Sequence, residues 1–267
     1  MAKWGKAWAS VLCAFVLLGL NVFPALAATG LPVPPSYTAG DMVLTVTTPS
    51  PNFNYEVPIN GTVGTVTINW GDGNSTDSIT SAGNQLHTYA NADTYTIVIS
   101  GTMSKYGSDG GFAGATALTA VQQWGSLGIT NLRAAFLGAT NLVSVPTTLP
   151  PGVTDLSEMF LYATKFNQDI SAWDTSSVTD MSGMFRYAAK FNNGAVNNDG
   201  SHPLLTNGSA WDVSNVTTFS GMFQEASDFS ENVSNWDTSS ATSMESMFWG
   251  CVVYNFPLGD WDVSNVT

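Results

Sequence analysis

The sequence predicts a mainly β protein with short helical turns: a small β-sandwich followed by a solenoid of coils about 25 residues long. Three observations lead there. A phrase running from Trp173 to Asn192 returns in near copy from Trp211, Trp236 and Trp261, and a fixed period of this length marks a stacked-repeat architecture. Ahead of it, runs of β-branched residues alternate with Asn-Gly and Asp-Gly steps, the pattern of short strands joined by tight turns. Hydrophobic residues make up 44% of the 267-residue chain and charged residues 10%, which is a folding composition.

The first 27 residues read as an export signal. Lys3 and Lys6 supply the basic start, Val11 to Leu20 the apolar core, and Ala25-Leu26-Ala27 the small-x-small cleavage site. That apolar run is too short to span a bilayer comfortably, and no second one follows, so 28–267 is expected to contain no membrane span. Removing the signal takes 7 basic residues to 5 against 20 acidic, a net charge of −15. Such a surface repels nucleic acid and anionic membrane, and it suits a soluble protein living in salt or binding cations. Cys251 is then the one cysteine left, so it reads as a small buried side chain.

Residues 28–41 are rich in Pro, Gly and small side chains and read as an extended leader. Strands are predicted at 42–47, 63–70 and 94–100 within a sandwich over 42–103. Asn60-Gly61 and Asp72-Gly73 are the hairpin turns. Residues 104–111 read as a linker. Trp70-Gly71-Asp72-Gly73-Asn74, then His87-Thr88-Tyr89, then Tyr95 to Ile99 resemble the signature of polycystic-kidney-disease (PKD) type domains. That resemblance implies an extracellular β-sandwich used as a spacer or binding module. Asp72 and His87 could form a pair, with Asp72 the candidate for a calcium contact. The simpler reading has Asp72 bonding backbone amides in its turn while His87 plugs the sandwich edge.

From 112 to 267 the anchor is Phe-x-x-Ala-x-x-apolar. It starts at Phe112, Phe136, Phe160, Phe185 and Phe223, and at Phe248 with Cys251 in the Ala place. The steps are 24, 24, 25, 38 and 25 residues, so the long step carries 13 extra, assigned to a loop at 193–205. Seven residues before each Phe from Phe136 onward stands Ile129, Val153, Val178, Val216 or Ala241, each followed by Thr. Five residues earlier again stands a Trp, except in the Val153 repeat. A unit with one Phe, one Trp and two Met or Leu cannot build a core alone, but stacked units can, with like residues forming columns. The Val-Thr-x-Met step is expected to be a short strand, and Met181 to Lys190 a short helix or 3₁₀ turn. The pattern stops mid-repeat at Thr267, which reads as a truncation.

Val178-Thr179-x-Met181-x-x-Met184-Phe185, Ala188-x-x-Phe191-Asn192 and Trp211 to Thr217 resemble the BspA-like leucine-rich-repeat surface proteins, whose repeats are also described in mycoplasma lipoproteins. The resemblance implies a leucine-rich-repeat-type fold, a place outside the cell and a role in adhesion or interaction. It implies no catalytic residue.

No Cys/His metal spacing, phosphate-cradling glycine loop or Gly-x-Ser-x-Gly elbow stands in the chain. Asp169 and Asp174 are near in sequence, but the recurring Trp-Asp steps at 174, 212, 237 and 262 read as turn formers. Thr130, Thr154, Thr179, Thr217 and Thr242 should line one exposed face. That face is either strand-forming threonine in water or a surface for an extracellular protein or glycan. The expected function is a non-catalytic exported protein for adhesion or macromolecular interaction, with no cofactor beyond that calcium. The alternative is the accessory part of an exported enzyme whose catalytic domain lies past residue 267.

Overall fold

A computed structural model describes residues 33–73, 76–195 and 211–267. The signal segment, residues 28–32 of the leader and residues 196–205 of the loop lie outside the described residues. The fold is mainly β, and the one described helical element is a 3₁₀ turn at Ala115–Ala117.

Six strands form one antiparallel sheet: β1 Met42–Thr47, β2 Phe53–Asn69, β3 Thr76–Ile79, β4 Gly83–Tyr89, β5 Thr94–Tyr106 and β6 Leu118–Gln123. Their order is β3-β2-β5-β1-β6, with β4 also paired to β2. The β1 range matches its prediction. In place of two separate sheets, hydrogen bonds join all six strands, because the 17-residue β2 serves both. Its first part pairs with β4 from Phe53↔Tyr89 to Ile59↔Gly83, and its last part with β3 from Val66↔Ile79 to Asn69↔Thr76.

Asn60-Gly61 does not turn the chain. Gly61 takes φ 71° inside β2, where the ladder to β5 slips between Asn60 and Val66, which is a bulge. The chain stays in strand there because β5 runs on past Gly101 and keeps offering partners. Asn60 Nδ2 donates to the Gly107 carbonyl at 2.7 Å. The same continuation corrects the linker: Ser104–Tyr106 finish β5. The Ser104 carbonyl accepts from Thr130 and Asn131 amides at 3.0 and 3.1 Å. β6, inside the first repeat, pairs with β1, and Phe112 packs edge-on against Tyr55 at 5.9 Å. The described residues accordingly fall within one compact unit.

From the end of β5 parallel bridges of one residue each run through the repeats, Lys105↔Asn131↔Asp155↔Asp180↔Thr218↔Ser243, and one more joins Ala120 to Ser144. The expected Val-Thr-x-Met strand is thus one bridged residue per repeat. It goes no further because the next residues enter tight turns. Asp180 Oδ1 accepts from the Ser182 amide and hydroxyl at 2.8 and 2.6 Å, folding the chain over at once.

The short helix or 3₁₀ turn expected at 181–190 is realised as separate i→i+3 turns and not as a helix, for a backbone reason. In each repeat from Phe136 onward the residues two before and two after the anchor Phe are left-handed. They are Ala134, Glu158, Gly183, Gly221 and Ser246, then Gly138, Tyr162, Tyr187, Glu225 and Gly250. A left-handed residue every fourth position stops a right-handed helix. It also turns alternate peptide units toward the neighbouring repeat. The amides of Leu156, Glu158, Phe160 and Tyr162 donate to the carbonyls of Asp180, Ser182, Met184 and Arg186 at 2.8–3.0 Å. The intervening amides close i→i+3 turns, as in Met159 to Leu156 at 3.2 Å and Ala163 to Phe160 at 2.9 Å. Met181, Gly183, Phe185 and Tyr187 repeat the pattern toward Thr218, Ser220, Met222 and Gln224. Few backbone groups are left for an ordinary strand or helix.

Side chains follow in columns. Anchor Phe rings stack from 136 to 160, 185, 223 and 248 at 5.4–5.8 Å. A second column runs Phe166, Phe191, Phe229, Tyr254 at 5.9–6.1 Å. Trp211, Trp236 and Trp261 stack at 6.4 and 6.2 Å. Burying each Phe contributes roughly 1.5–3 kcal/mol.

Candidate functional site

The threonine column is present and exposed at all five positions. Its hydroxyls are engaged along the stack: Oγ1 of Thr179, Thr217 and Thr242 donates to the carbonyl of the preceding threonine at 3.2, 3.0 and 3.0 Å. Thr154 does so to Thr130 at 3.4 Å. Each amide reaches the same carbonyl at 2.8–2.9 Å. The hydroxyls therefore reinforce the stack and turn methyl groups and oxygen lone pairs, not free O–H donors, toward water.

The Trp-Asp steps are turns. Asp174 and Asp237 Oδ1 each accept from the amide (3.1 Å) and hydroxyl (2.7 Å) of the serine two residues on. Asp212 and Asp262 accept the Ser214 and Ser264 amides at 2.9 Å. Asp169 does the same with Ser171, so Asp169 and Asp174 each serve a local turn. The serine hydroxyls hold Asp174, Asp237 and Asp262 below the usual aspartate range.

Asp72 and His87 do come together, Oδ2 to Nε2 at 3.2 Å. The imidazole lies flat on Trp70 at 4.7 Å and edge-on to Tyr89 at 4.7 Å. Trp70 in turn donates to Asp77 at 2.7 Å and Tyr89 to the Trp70 carbonyl at 2.9 Å. Burial raises the Tyr89 phenol far above its ordinary value. The cluster closes the sheet edge. Among the described residues no three His, Cys, Asp or Glu side chains converge as a metal-binding group. Cys251 donates its thiol to the Phe223 carbonyl at 2.9 Å, and burial pushes its pKa up to about 12, which removes thiolate reactivity.

One surface group was passed over in the sequence. Tyr162 and Tyr187 occupy the left-handed slot after the anchor Phe, with rings stacked at 4.7 Å and 7°. The Arg186 guanidinium lies over the Tyr187 ring, 5.5 Å from its centroid. The signal was available as two tyrosines at the same distance from successive anchors, on what was read only as a helical turn.

A family model described as Mycoplasma protein of unknown function, DUF285, matches residues 109–204 and 199–267. The chain belongs to the DUF285 family. At that level the resemblance to mycoplasma repeats holds, and the matched residues are the repeats, β6 included, and not strands β1 to β5. No curated protein and no solved structure matches the chain. No helix among the described residues of this DUF285 chain is long and apolar enough to cross a membrane.

Proposed function

We propose that this DUF285 chain is an exported, non-catalytic surface protein for adhesion or macromolecular interaction. In this reading its repeats form a leucine-rich-repeat-type solenoid, and the PKD-like sheet is a spacer fused to the first coil. One observation carries it: from Phe136 to Phe223 each repeat buries its anchor Phe and the Ala three residues on in stacked columns, while the slot two residues after the Phe varies as Gly138, Tyr162, Tyr187 and Glu225. A scaffold that holds its interior constant and varies its outside is built to present a surface. The family match, the acidic balance of the chain and the apolar N-terminal segment support the same reading.

Two measurements test it. Fractionation of cells producing the full-length chain should place it outside the cytoplasm, with Met1 to Ala27 removed. The purified chain should bind an extracellular protein, glycan or cell surface saturably at physiological salt. Cytoplasmic retention, or no binding across a broad panel of such ligands, contradicts the proposal.

A further inference from the structure

Each repeat has a left-handed slot two residues after its anchor Phe, occupied in order by Gly114, Gly138, Tyr162, Tyr187, Glu225 and Gly250. Glycine suits that backbone, whereas a bulky side chain there stores of order 1–3 kcal/mol of strain. Two consecutive repeats nevertheless place tyrosine in it. The fold gains little in return: Tyr162 is 45% exposed, the rings rest on each other, and neither hydroxyl bonds to a described protein group.

The second observation is electrostatic. Of the five basic side chains after the signal segment, four have an oxygen partner. Lys105 and Arg133 bond to Asp109 at 2.7 and 3.1 Å, Lys165 to Asn141 at 2.7 Å, and Lys190 to Asp228 at 2.9 Å. Arg186 pairs with no carboxylate among the described residues, and its Nε is buried without a hydrogen-bond partner. It sits over the Tyr187 ring instead. In a chain this acidic, an arginine that pairs with none of the described carboxylates is an open anion contact.

We propose that Tyr162, Tyr187 and Arg186 form a binding site for an anionic glycan, with sugar rings against the tyrosines and a carboxylate or sulfate on the guanidinium. A protein side chain anchors best in a concave apolar pocket. This patch is instead a projecting aromatic ledge with polar neighbours, and phenol rings with free hydroxyls can meet both the C–H face and the hydroxyl rim of a sugar. The proposal rests on the surface-interaction reading and names one ligand class for it.

The test is calorimetric titration of the full chain with four probes: an oligogalacturonate, a sulfated galactan oligomer, a neutral galactan oligomer and a poly-glutamate peptide. At least one charged oligosaccharide should bind, tenfold or more tighter than the neutral one and weakening with salt, and poly-glutamate should not compete. Tyr162→Gly and Tyr187→Gly should each lower that affinity at least tenfold without lowering the melting temperature, because glycine relieves the slot. Arg186→Gln should abolish the preference for charge. No binding of either charged oligosaccharide, equal binding of poly-glutamate, or unchanged affinity in the tyrosine variants overturns the site. If those variants still bind cells as the parent chain does, only this site falls, and the surface-protein reading stands.

Discussion

The sheet and the repeats bury aromatic side chains with the same thoroughness but by different bonding. In the sheet, strands far apart in sequence pair antiparallel, and one mixed core gathers Tyr55, Trp70, Tyr89 and Tyr106. In the repeats each unit bonds mainly to the next, and one slot recurs with the same backbone in every unit. A change in the sheet therefore meets a unique environment, while a change in a repeat slot meets one already sampled by its neighbours. Tolerance should follow from that difference.

The largest effect should come from breaking a column in its interior. Phe185 is fully buried and stacks on Phe160, Phe191 and Phe223. Phe185→Ala should cost about 3–5 kcal/mol in urea unfolding. Phe248→Ala, at the last described anchor and only partly buried, should cost less than half as much. Equal losses would mean that the columns do not act as a stack.

Glycines sharpen the contrast. A Cβ on Gly71, at φ 78°, would lie 2.2 Å from the Thr96 carbonyl oxygen in the sheet. One on Gly138, at φ 75°, would meet nothing nearer than Ala115 Cβ at 3.9 Å. Gly138→Ala should therefore cost only the left-handed penalty of about 1–2 kcal/mol, and Gly71→Ala clearly more. Comparison of the two denaturation midpoints checks this. The reverse change, Glu225→Gly, should raise stability by a few tenths to about 1 kcal/mol, offset in part by the freedom glycine gains when unfolded. A fall in its midpoint would show that the slot is not strained.

Much of the column pattern was legible, because Phe, Trp and Thr recur in register and burial acts on each unit alike. The β1 strand was legible from β-branched residues. The extent of β2 was not: Asn60-Gly61 is a sound local turn signal, overruled because β5 supplies partners on both sides of the bulge. Left-handed Glu158, Tyr162, Tyr187 and Glu225 were hidden for a similar reason. No local propensity places such residues there; the bonds to neighbouring repeats do. The tyrosine–arginine patch stayed hidden with them, since a helical reading of that turn puts those side chains elsewhere.

The smallest effect is electrostatic. The hydrogen bond from Lys105 is the main factor holding the Asp109 carboxyl below its ordinary 3.8, with Arg133 adding to it. A depressed folded-state pKa contributes stability that is present above the unfolded value and lost as pH falls through the folded one. The melting temperature should therefore decline as pH drops below 3.8. Asp109→Asn should show a slightly smaller decline, since this carboxylate is largely exposed and its share is small.

Residue-resolved amide hydrogen exchange on the intact chain tests the bonding between repeats most directly. Amides at Leu156, Glu158, Phe160 and Tyr162, and at Met181, Gly183, Phe185 and Tyr187, should be as protected as those of β1 and β5, since each donates to the next repeat. Exchange of these eight at the rate of open turns, with the sheet still protected, would contradict the stacked arrangement.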